Sequence, residues 1–155
     1  MSDTTALDRA LGWGFALEPI DPEDGAAAGL DLSFDIVRGQ GALLQSLTLA
    51  LVTLTGSDVF ATGFGFAGLS ALVEETDPVL RRERLRMSVI ATLKAEPRIR
   101  RVVTVRFADE VEADGTPGEP FSAPPSRVMA IEAVFETVAG TSHTITLGGE
   151  ALDVR

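Results

Sequence analysis

The amino-acid sequence predicts an α+β fold, a single domain in which helices pack on a small, mainly antiparallel sheet. Across Leu85–Phe107, apolar residues recur first at helical spacing and then, beyond Glu96-Pro97-Arg98, at every second position. Alternating stretches at 129–135 and 143–147, separated by a glycine-containing turn, predict two further strands that pair with the first. Because Pro97 disfavours helical geometry at the residue before it, we predict a helix-to-strand hinge at Glu96-Pro97-Arg98.

The composition favours an independently folding, acidic protein. The chain has 155 residues, 45% of them apolar, and its 23 acidic against 13 basic residues give a net charge of -10. Such a charge opposes a phosphate backbone or an anionic leaflet, so neither nucleic acid nor a membrane is an expected partner. The longest apolar stretch, Leu43–Leu54, is too short for a membrane span, and no secretory leader precedes it, so we expect cytoplasmic synthesis.

The N-terminal third of the chain predicts an arm, a strand and a central helix. Residues 1–29 combine glycines, prolines and acids around Trp13 and Phe15, and we interpret them as an N-terminal arm that packs its rings on the domain 30–155. Apolar residues alternate with acids from Leu30 to Ile36, the pattern of a half-buried strand. Gln40–Thr55 has little polar face and predicts a central helix, which Gly56 ends.

A glycine-rich loop and a long helix follow. The loop Val59–Phe66 contains three phenylalanines that can anchor it, and it lacks the lysine of a phosphate-binding loop. A short helix is expected near Leu69–Val73, and Asp77-Pro78 predicts the start of the long helix, with Asp77 as its N-cap. The arginines of this helix either pair with neighbouring glutamates or form a surface for an acidic partner: Arg81, Arg82, Arg84 and Arg86.

The hinge charges admit two interpretations. Glu96 continues the apolar stripe of Leu85, Val89 and Leu93, so we expect Glu96 and Arg98 to be partly buried and hydrogen-bonded. The pair is then either a lock internal to the hinge or a docking site for a partner. In the strand beyond it, strict alternation places four apolar side chains on one face: Ile99, Val103, Val105 and Phe107.

The C-terminal part predicts an exposed loop and a sheet edge. The acids and prolines of Asp109–Ser126 favour a long exposed loop. The last long strand, which carries neither charge nor proline, is predicted to leave an open edge that accepts a strand from another chain: His143, Thr144, Ile145, Thr146 and Leu147. The alternative is that Ala151–Arg155, after the turn at Gly148-Gly149, covers this edge within the chain.

Catalytic constellations are not apparent in the sequence. His143 is the only histidine and shares a strand face with Ile145 and Leu147, which favours a structural role. The chain has no cysteine, and no spacing of histidines and carboxylates indicates a metal site, so we expect neither a metal nor a cofactor. Pairs of acids for glycoside hydrolysis can be nominated only from Glu74, Glu75 and Glu96, as in any acidic protein.

Several short motifs, taken in order, resemble one family. They are Gly12-Trp13-Gly14-Phe15, Leu44-Gln45-Ser46-Leu47, the Thr55-Gly56 turn, Phe64-Gly65, and above all Glu96-Pro97-Arg98-Ile99 before a strand. Together they resemble the small baseplate wedge protein of contractile phage tails, type VI secretion systems and phage-like injection particles. The resemblance covers about residues 12–150. The chain departs from the family at Ser57-Asp58, where an acidic-basic pair is common, and in its longer, proline-rich loop 109–126.

The resemblance implies a structural, non-enzymatic subunit, present in sixfold copies between the inner baseplate and the first sheath ring. Its partners would be larger wedge subunits, sheath subunits, and tube or hub proteins. The implied partner-binding residues are Glu96, Pro97, Arg98, Phe64 and Gly65, with the strand His143–Leu147 templating the sheath. Some family members carry a lysozyme-like label, so a peptidoglycan-cleaving enzyme is one alternative, and an unrelated soluble adaptor domain is another.

Overall fold

The computed structural model describes residues 3–19, 30–110, 130–148 and 153–154. It has a mixed α+β single-domain fold, which confirms the predicted class. Within this fold the chain forms two compact units, Met1–Thr48 and Leu49–Arg155. The elements in chain order are α1 (Asp3–Leu11), β1 (Trp13–Pro19), β2 (Leu30–Arg38), α2 (Gln40–Val52), α3 (Gly68–Glu74), α4 (Pro78–Ala95), β3 (Ile99–Phe107), β4 (Ile131–Thr137), β5 (Ser142–Leu147) and β6 (Asp153–Val154).

The first unit contains an antiparallel hairpin of β1 and β2. Their register runs from Trp13 opposite Arg38 to Pro19 opposite Leu30, with an irregularity between Phe15 and Leu17. The predicted boundary at residue 29 is therefore wrong, because the supposed arm supplies a strand that pairs with β2. The alternation of large apolar residues from Trp13 to Leu17 is a strand pattern, and the flanking glycines concealed it.

Close backbone contacts fix the base of this hairpin. The amide of Gly12 donates to the carbonyl of Asp8 at the end of α1 (2.9 Å), and the amide of Gly39 donates to the carbonyl of Gly12 (2.8 Å). Gly39 has φ +57°, and a Cβ there would lie 2.6 Å from Oδ1 of Asp8. Glycine is therefore required where the chain leaves β2, and α1 is tied to both strands.

The second unit begins with the end of α2 and a closed loop. The helix stops at Val52, before the predicted end at Thr55, because the next residues bond elsewhere. The amide of Phe66 donates to the carbonyl of Thr53 (2.7 Å), and the amide of Thr55 donates to the carbonyl of Phe66 (3.3 Å). These two bonds bring the ends of the intervening loop together, as in a compact surface loop.

The long helix α4 begins as predicted. Asp77 is its N-cap, and Oδ1 accepts hydrogen bonds from the amides of Val79 (2.8 Å) and Leu80 (3.3 Å). Pro78 occupies the first turn, where its missing amide hydrogen costs nothing. One face of α4 is buried through Leu85, Val89 and Leu93, the stripe that the sequence indicates.

The second sheet has the strand order β3-β4-β5-β6, with every pair antiparallel. Its buried face alternates along β4 and joins the apolar stripe of α4 in one core. The most deeply buried members from the sheet are Phe107, Ala133, Phe135, Thr137 and Ile145. Helix α4 lies against β3, so the hinge between them sets how the helix meets the sheet.

Strict alternation is wrong for β3, because the strand contains two register irregularities, one between Ile99 and Arg101 and one between Val102 and Thr104. The first places Val102 opposite the buried Phe135, whereas Val103, which falls at the second, is 53% exposed. A bulge adds a residue to one strand and thereby reverses which side chains face the core beyond it. The core face of β3 thus includes Val102 and not Val103.

The first two residues of the predicted exposed loop are folded. Ala108–Glu110 forms a single turn of 3-10 helix, and the Glu110 carboxylate accepts from the amide of Phe107 (3.0 Å) and binds Arg86 (2.5 Å). Residues 109 and 110 therefore belong to the folded part of the chain. The rest of the predicted loop, 111–126, lies outside the described residues, as does Met129 of the predicted strand.

The register of β3 leads to a matched pair of substitutions. We expect Val102→Thr to lower the free energy of unfolding by about 1 kcal/mol, because it places a hydroxyl against the core. Val103→Thr should change it by less than about 0.5 kcal/mol, since that side chain is solvated. Urea unfolding of both variants measures the difference. A larger loss of stability in Val103→Thr than in Val102→Thr would show that β3 alternates strictly and that Val103 faces the core.

Candidate functional site

The hinge is a compact turn closed by backbone bonds. The amide of Glu96 donates to the carbonyl of Leu93 (3.3 Å) and ends α4, and Glu96 itself has extended geometry, with ψ 112°. The amide of Ile99 then donates to the carbonyl of Glu96 (3.0 Å), which reverses the chain around Pro97. The carbonyl of Arg98 accepts from the amide of Val138 (2.9 Å), so the hinge is also joined to the end of β4.

The side chains of Glu96 and Arg98 form a two-pronged ion pair across this turn. Nε of Arg98 donates to Oε1 of Glu96 (2.6 Å), and Nη2 donates to Oε2 (2.8 Å). The amide of Arg98 also donates to Oε1 (3.2 Å). The Glu96 side chain is only 15% exposed, and the Arg98 side chain is 24% exposed. The structure thus shows the lock internal to the hinge, while a docking role for the pair stays a prediction.

This geometry determines the charge of both groups. Burial raises the pKa of Glu96, but the side-chain and backbone hydrogen bonds from Arg98 outweigh burial, so the pKa lies below its ordinary value. The hydrogen bond to Glu96 raises the pKa of Arg98, against the opposing effect of burial. Stability from the Glu96 carboxylate is therefore present above its unfolded pKa of about 4.5 and is lost as pH falls through the folded pKa.

An open groove of about 440 Å³ lies between the glycine-rich loop and α4. The loop contributes small residues to one wall, and α4 contributes the other through residues on successive turns. The lining residues are Thr55, Gly63, Gly65, Ala67, Met87, Ser88, Ala91, Thr92 and Ala95. Because Ala95 directly precedes Glu96, the groove brings the predicted site residue Gly65 to the helix end that carries the hinge.

The Phe64-Gly65 turn has a structural requirement for glycine. Gly65 has φ +110°, and a Cβ there would lie 2.7 Å from the carbonyl oxygen of Thr53 and 2.9 Å from the amide of Thr55. Gly65 therefore permits the backbone approach that closes the loop. Phe64 is partly exposed beside it.

Only one of the three phenylalanines in the loop is an anchor. Phe66 is buried, and its ring fills the space next to Gly68, where a Cβ would clash with the ring. Phe64 is partly exposed, and Phe60, at the loop tip, is 98% exposed. The expectation that all three rings hold the loop is therefore wrong, because the two backbone bonds at its base and Phe66 suffice to close it.

The predicted open edge at His143–Leu147 is also corrected. The strand β5 pairs with β4 on one side and with β6 on the other, through Ile145 opposite Val154 and Thr146 opposite Asp153. The chain's own C-terminal segment thus covers this edge, as in the alternative considered above. His143 and Ile145 are buried in the core, so their side chains are not available to a partner.

His143 has the structural environment that its strand face indicates. Its Nε2 lies 3.0 Å from Oγ1 of Thr141, and its ring centroid lies 5.9 Å from that of Phe135. Burial lowers the pKa of the imidazole below its ordinary value. Within the described ranges 3–19, 30–110, 130–148 and 153–154, no cluster of three histidine or carboxylate side chains has a geometry suited to a metal ion.

The arginines of α4 are engaged within the chain, which favours the first of their two interpretations. Arg81 donates to the carbonyl of Glu75, through Nε at 2.9 Å and Nη2 at 2.8 Å. Arg84 forms ion pairs with Glu74 (3.4 Å) and Glu75 (3.5 Å). Arg86 binds Glu83 at 2.7 Å. The partners are thus glutamates close to the arginines in the sequence: Glu74, Glu75 and Glu83.

A cluster around Phe107 was not predicted. The guanidinium carbons of Arg82 and Arg86 lie 4.3 and 5.4 Å from the Phe107 ring centroid, and Glu110 is within 3.7 Å of Arg82. The helical spacing of the two arginines and the position of Glu110 three residues after Phe107 were the available signals. This cluster ties the end of β3 to α4, where cation–π stacking and ion pairing act together.

Gln45 is a second residue whose role was not predicted. Its Nε2 donates to the carbonyl of Phe15 (2.7 Å), and its Oε1 accepts from the amide of Leu17 (2.9 Å). The amide thus satisfies both backbone groups at the irregularity in β1. The motif Leu44-Gln45-Ser46-Leu47 contained the signal, since a glutamine in an otherwise apolar helix needs polar partners.

Comparison with known proteins gives no family assignment. No protein-family model matches the chain, and no curated protein matches it. The likeness to baseplate wedge proteins therefore rests on the short motifs described above. Within the described part of the chain, none of the helices combines the length and apolar character needed to cross a membrane.

The contacts of Gly65 predict the cost of a side chain there. We expect Gly65→Ala to lower the free energy of unfolding by about 1–3 kcal/mol, because alanine is strained at positive φ and its Cβ would overlap the backbone at Thr53. Gly63→Ala is the matched control: a Cβ there has nothing within 4 Å. Thermal unfolding compares the two variants. Equal melting temperatures would contradict the claim that the loop closes through a close backbone contact at Gly65.

The environment of His143 predicts a pH dependence of stability. Because the folded pKa lies below the unfolded value of about 6.5, the unfolded chain takes up a proton first as pH falls, and stability decreases through this range. We expect His143→Gln to reduce the fall in melting temperature between about pH 7.5 and 5.5. Glu96 titrates below this window. If the melting temperatures of the wild type and the variant fall equally with pH, His143 is not a source of the pH dependence.

Proposed function

We propose that the protein is a structural baseplate wedge subunit of a contractile injection system. In this role it joins the inner baseplate to the first sheath ring and templates sheath assembly, in sixfold copies within a phage tail or tail-like particle. The observation that carries the proposal is the groove of the second unit. One wall includes Gly65 of the Phe64-Gly65 motif, and the other is α4, whose last residue, Ala95, directly precedes the Glu96-Pro97-Arg98 motif.

The groove has the shape to receive a helix from a larger wedge subunit. Ser88, Ala91 and Ala95 recur at three- and four-residue spacing along α4, and on the opposite wall Gly63 and Gly65 carry no side chain. Low walls allow another backbone to approach closely, and an amphipathic helix can lay its apolar side chains into such a groove.

The hinge supports this role by keeping the groove in one geometry. Glu96 and Arg98 neutralise each other, so the pair offers little net charge to a partner. Their two side-chain bonds fix the turn at the end of α4, and the backbone bond from Val138 fixes it against the sheet. A surface that is already ordered loses less conformational entropy on binding. In the proposal the pair acts as a lock that preorganises the docking groove.

Because β6 covers the edge of β5, templating of the sheath in this proposal requires a sheath strand to displace a strand of the sheet. In the described part of the chain, β6 covers β5 through two residue pairs, so a sheath strand that joins this sheet would replace β6. Such an exchange conserves main-chain hydrogen bonds, since each bond lost to β6 is regained with the incoming strand. The outward-facing register positions Thr144 and Thr146, rather than the buried Ile145, would contact the partner's side chains.

An enzymatic role has less support. A glycoside hydrolase needs a carboxylic acid whose pKa is raised so that it can donate a proton. The pKa of Glu96 is shifted the other way, by its bonds to Arg98, and Glu74 and Glu75 form ion pairs with Arg84. An unrelated adaptor domain is distinguished from a wedge subunit by the identity of its partners.

The proposal predicts that filling the groove blocks assembly without unfolding the subunit. Ala91 lines the groove and is exposed, so Ala91→Leu adds volume there without disturbing the core. We expect the tagged variant, expressed in the native source, to recover about tenfold less of the larger wedge and sheath proteins than the wild type. Quantitative mass spectrometry of the purified assemblies measures this.

Lys94→Leu is the matched control, because it adds a leucine to an exposed position of α4 outside the groove lining. It should recover partners as the wild type does, and both variants should keep the wild-type melting temperature. Recovery of tail proteins unchanged by Ala91→Leu would refute the groove as the docking site. Recovery of partners other than sheath and wedge proteins would favour the adaptor.

A further inference from the structure

One large apolar side chain lies among the small ones that line the groove. Met87 shares the α4 wall with Ala91 and Ala95, which follow it by four and eight residues along the same side of the helix. Its side chain is 62% exposed, whereas Leu85 and Val89, on the other side of α4, are buried. A helix that enters the groove would therefore cover a thioether that is open to solvent in the free subunit.

A methionine suits the docking role proposed above, on which the inference rests. Its side chain is unbranched and flexible and its sulfur is polarisable, so it adapts to apolar side chains of different shape. The chain has no cysteine and three methionines, of which Met87 lies within the described residues. Met87 thus supplies the groove with an exposed sulfur that can be oxidised.

Hydrogen peroxide oxidises a methionine thioether without a further reactant. The O–O bond of the peroxide breaks, one oxygen atom forms a bond to sulfur, and the other leaves as water, so sulfur loses two electrons and the peroxide gains them. The product, a sulfoxide, is polar and accepts hydrogen bonds, whereas the thioether is apolar. Methionine sulfoxide reductases restore the thioether, so the change is reversible.

The donors of the α4 wall beside Met87 are already engaged within the chain. Oγ of Ser88 donates to the carbonyl of Arg84 (2.8 Å), and Oγ1 of Thr92 donates to the carbonyl of Ser88 (3.0 Å). The guanidinium of Arg84, one turn before Met87, pairs with two glutamates (3.4 and 3.5 Å). A sulfoxide at Met87 is therefore solvated by water in the free subunit, and a docked helix would remove that water without replacing its hydrogen bonds.

We propose that Met87 is a reversible oxidation switch of the groove. As a thioether it contributes apolar contact to the partner helix, and as a sulfoxide it opposes docking because its oxygen would be buried without a donor. The switch acts on free subunits, since a docked helix covers the sulfur and protects it. Peroxide thus prevents new assemblies from forming and leaves existing ones intact.

The accessibility of the sulfur is tested without a partner. The full-length protein is treated with hydrogen peroxide, both folded and in urea, and the fraction of Met87 sulfoxide is followed by peptide mass spectrometry. We expect the two oxidation rates to agree within about twofold, because the susceptibility of a methionine follows its exposure. Strong protection of Met87 in the folded protein would overturn the proposal.

Oxidation of Met87 should leave the subunit folded. Met87→Leu is the matched comparison, since it keeps Met1 and Met129 and lacks only the sulfur of the groove. Peroxide should change the melting temperatures of the wild type and of Met87→Leu by the same amount. A larger fall in the wild type would show that Met87 packs in the core and would reject a switch confined to the groove.

Capture of partners tests the switch itself. The tagged wild-type subunit is oxidised, freed of peroxide and mixed with an extract of native-source cells that lack their own copy, and the recovered wedge and sheath proteins are quantified by mass spectrometry. We expect about tenfold lower recovery than with the untreated wild type, because the sulfoxide oxygen is buried without a partner. Reductases that act on both sulfoxide epimers should restore recovery. A loss that they do not restore would overturn a reversible switch.

Failure of the switch is distinguishable from failure of the proposed function. Each protein is compared with its own untreated sample, and treatment of Met87→Leu should cause no loss of recovery. If the untreated wild type captures neither wedge nor sheath proteins, or if Ala91→Leu captures as much as the wild type, the groove is not the docking site and both proposals fail. If Ala91→Leu lowers capture, but peroxide affects the wild type and Met87→Leu equally, the groove stands and the switch is refuted.

Discussion

The second unit depends on the closure of the hinge by Glu96 and Arg98. A helix and a strand that follow each other directly must reverse direction within a few residues, and this leaves helix-end carbonyls and strand-start amides to be satisfied. The turn around Pro97 pairs several of these groups, and the carboxylate and guanidinium complete it with two short bonds. This ion pair determines how α4 lies on β3, because both elements begin or end at it.

Two further features of the second unit depend on this closed hinge. At the far end of β3, Arg82 and Arg86 stack on Phe107 and pair with Glu110, so the helix and the strand are joined at both ends. Along one side, the small residues of α4 leave space beside the loop closed by Gly65. The groove therefore exists because the helix is fixed at its ends and its side chains there are too small to fill it.

Each unit has an exposed apolar surface, and the two differ in physical character. Apart from Met87, the groove is lined by small side chains and suits the close approach of another backbone. The hairpin of the first unit instead exposes large rings and aliphatic side chains, namely Trp13, Phe15, Leu32, Phe34 and Ile36. Both surfaces are held by backbone hydrogen bonds and glycines at positive φ, at Gly39 and Gly65. In both units the chain thus combines a rigid scaffold with an exposed, largely apolar surface.

The sequence by itself determined the α+β class, the start of α4 at Asp77-Pro78 and the hinge after Ala95, because these depend on local spacing and capping. It could not determine which face of β3 is buried, since the bulge near Val102 arises from pairing with β4. Nor could it place Glu110 beside Arg86, or cover β5 with β6, because these contacts join distant parts of the chain. Exposure of the hairpin face was likewise decided only in three dimensions, because alternation indicates that a strand has an apolar face but not whether anything covers it.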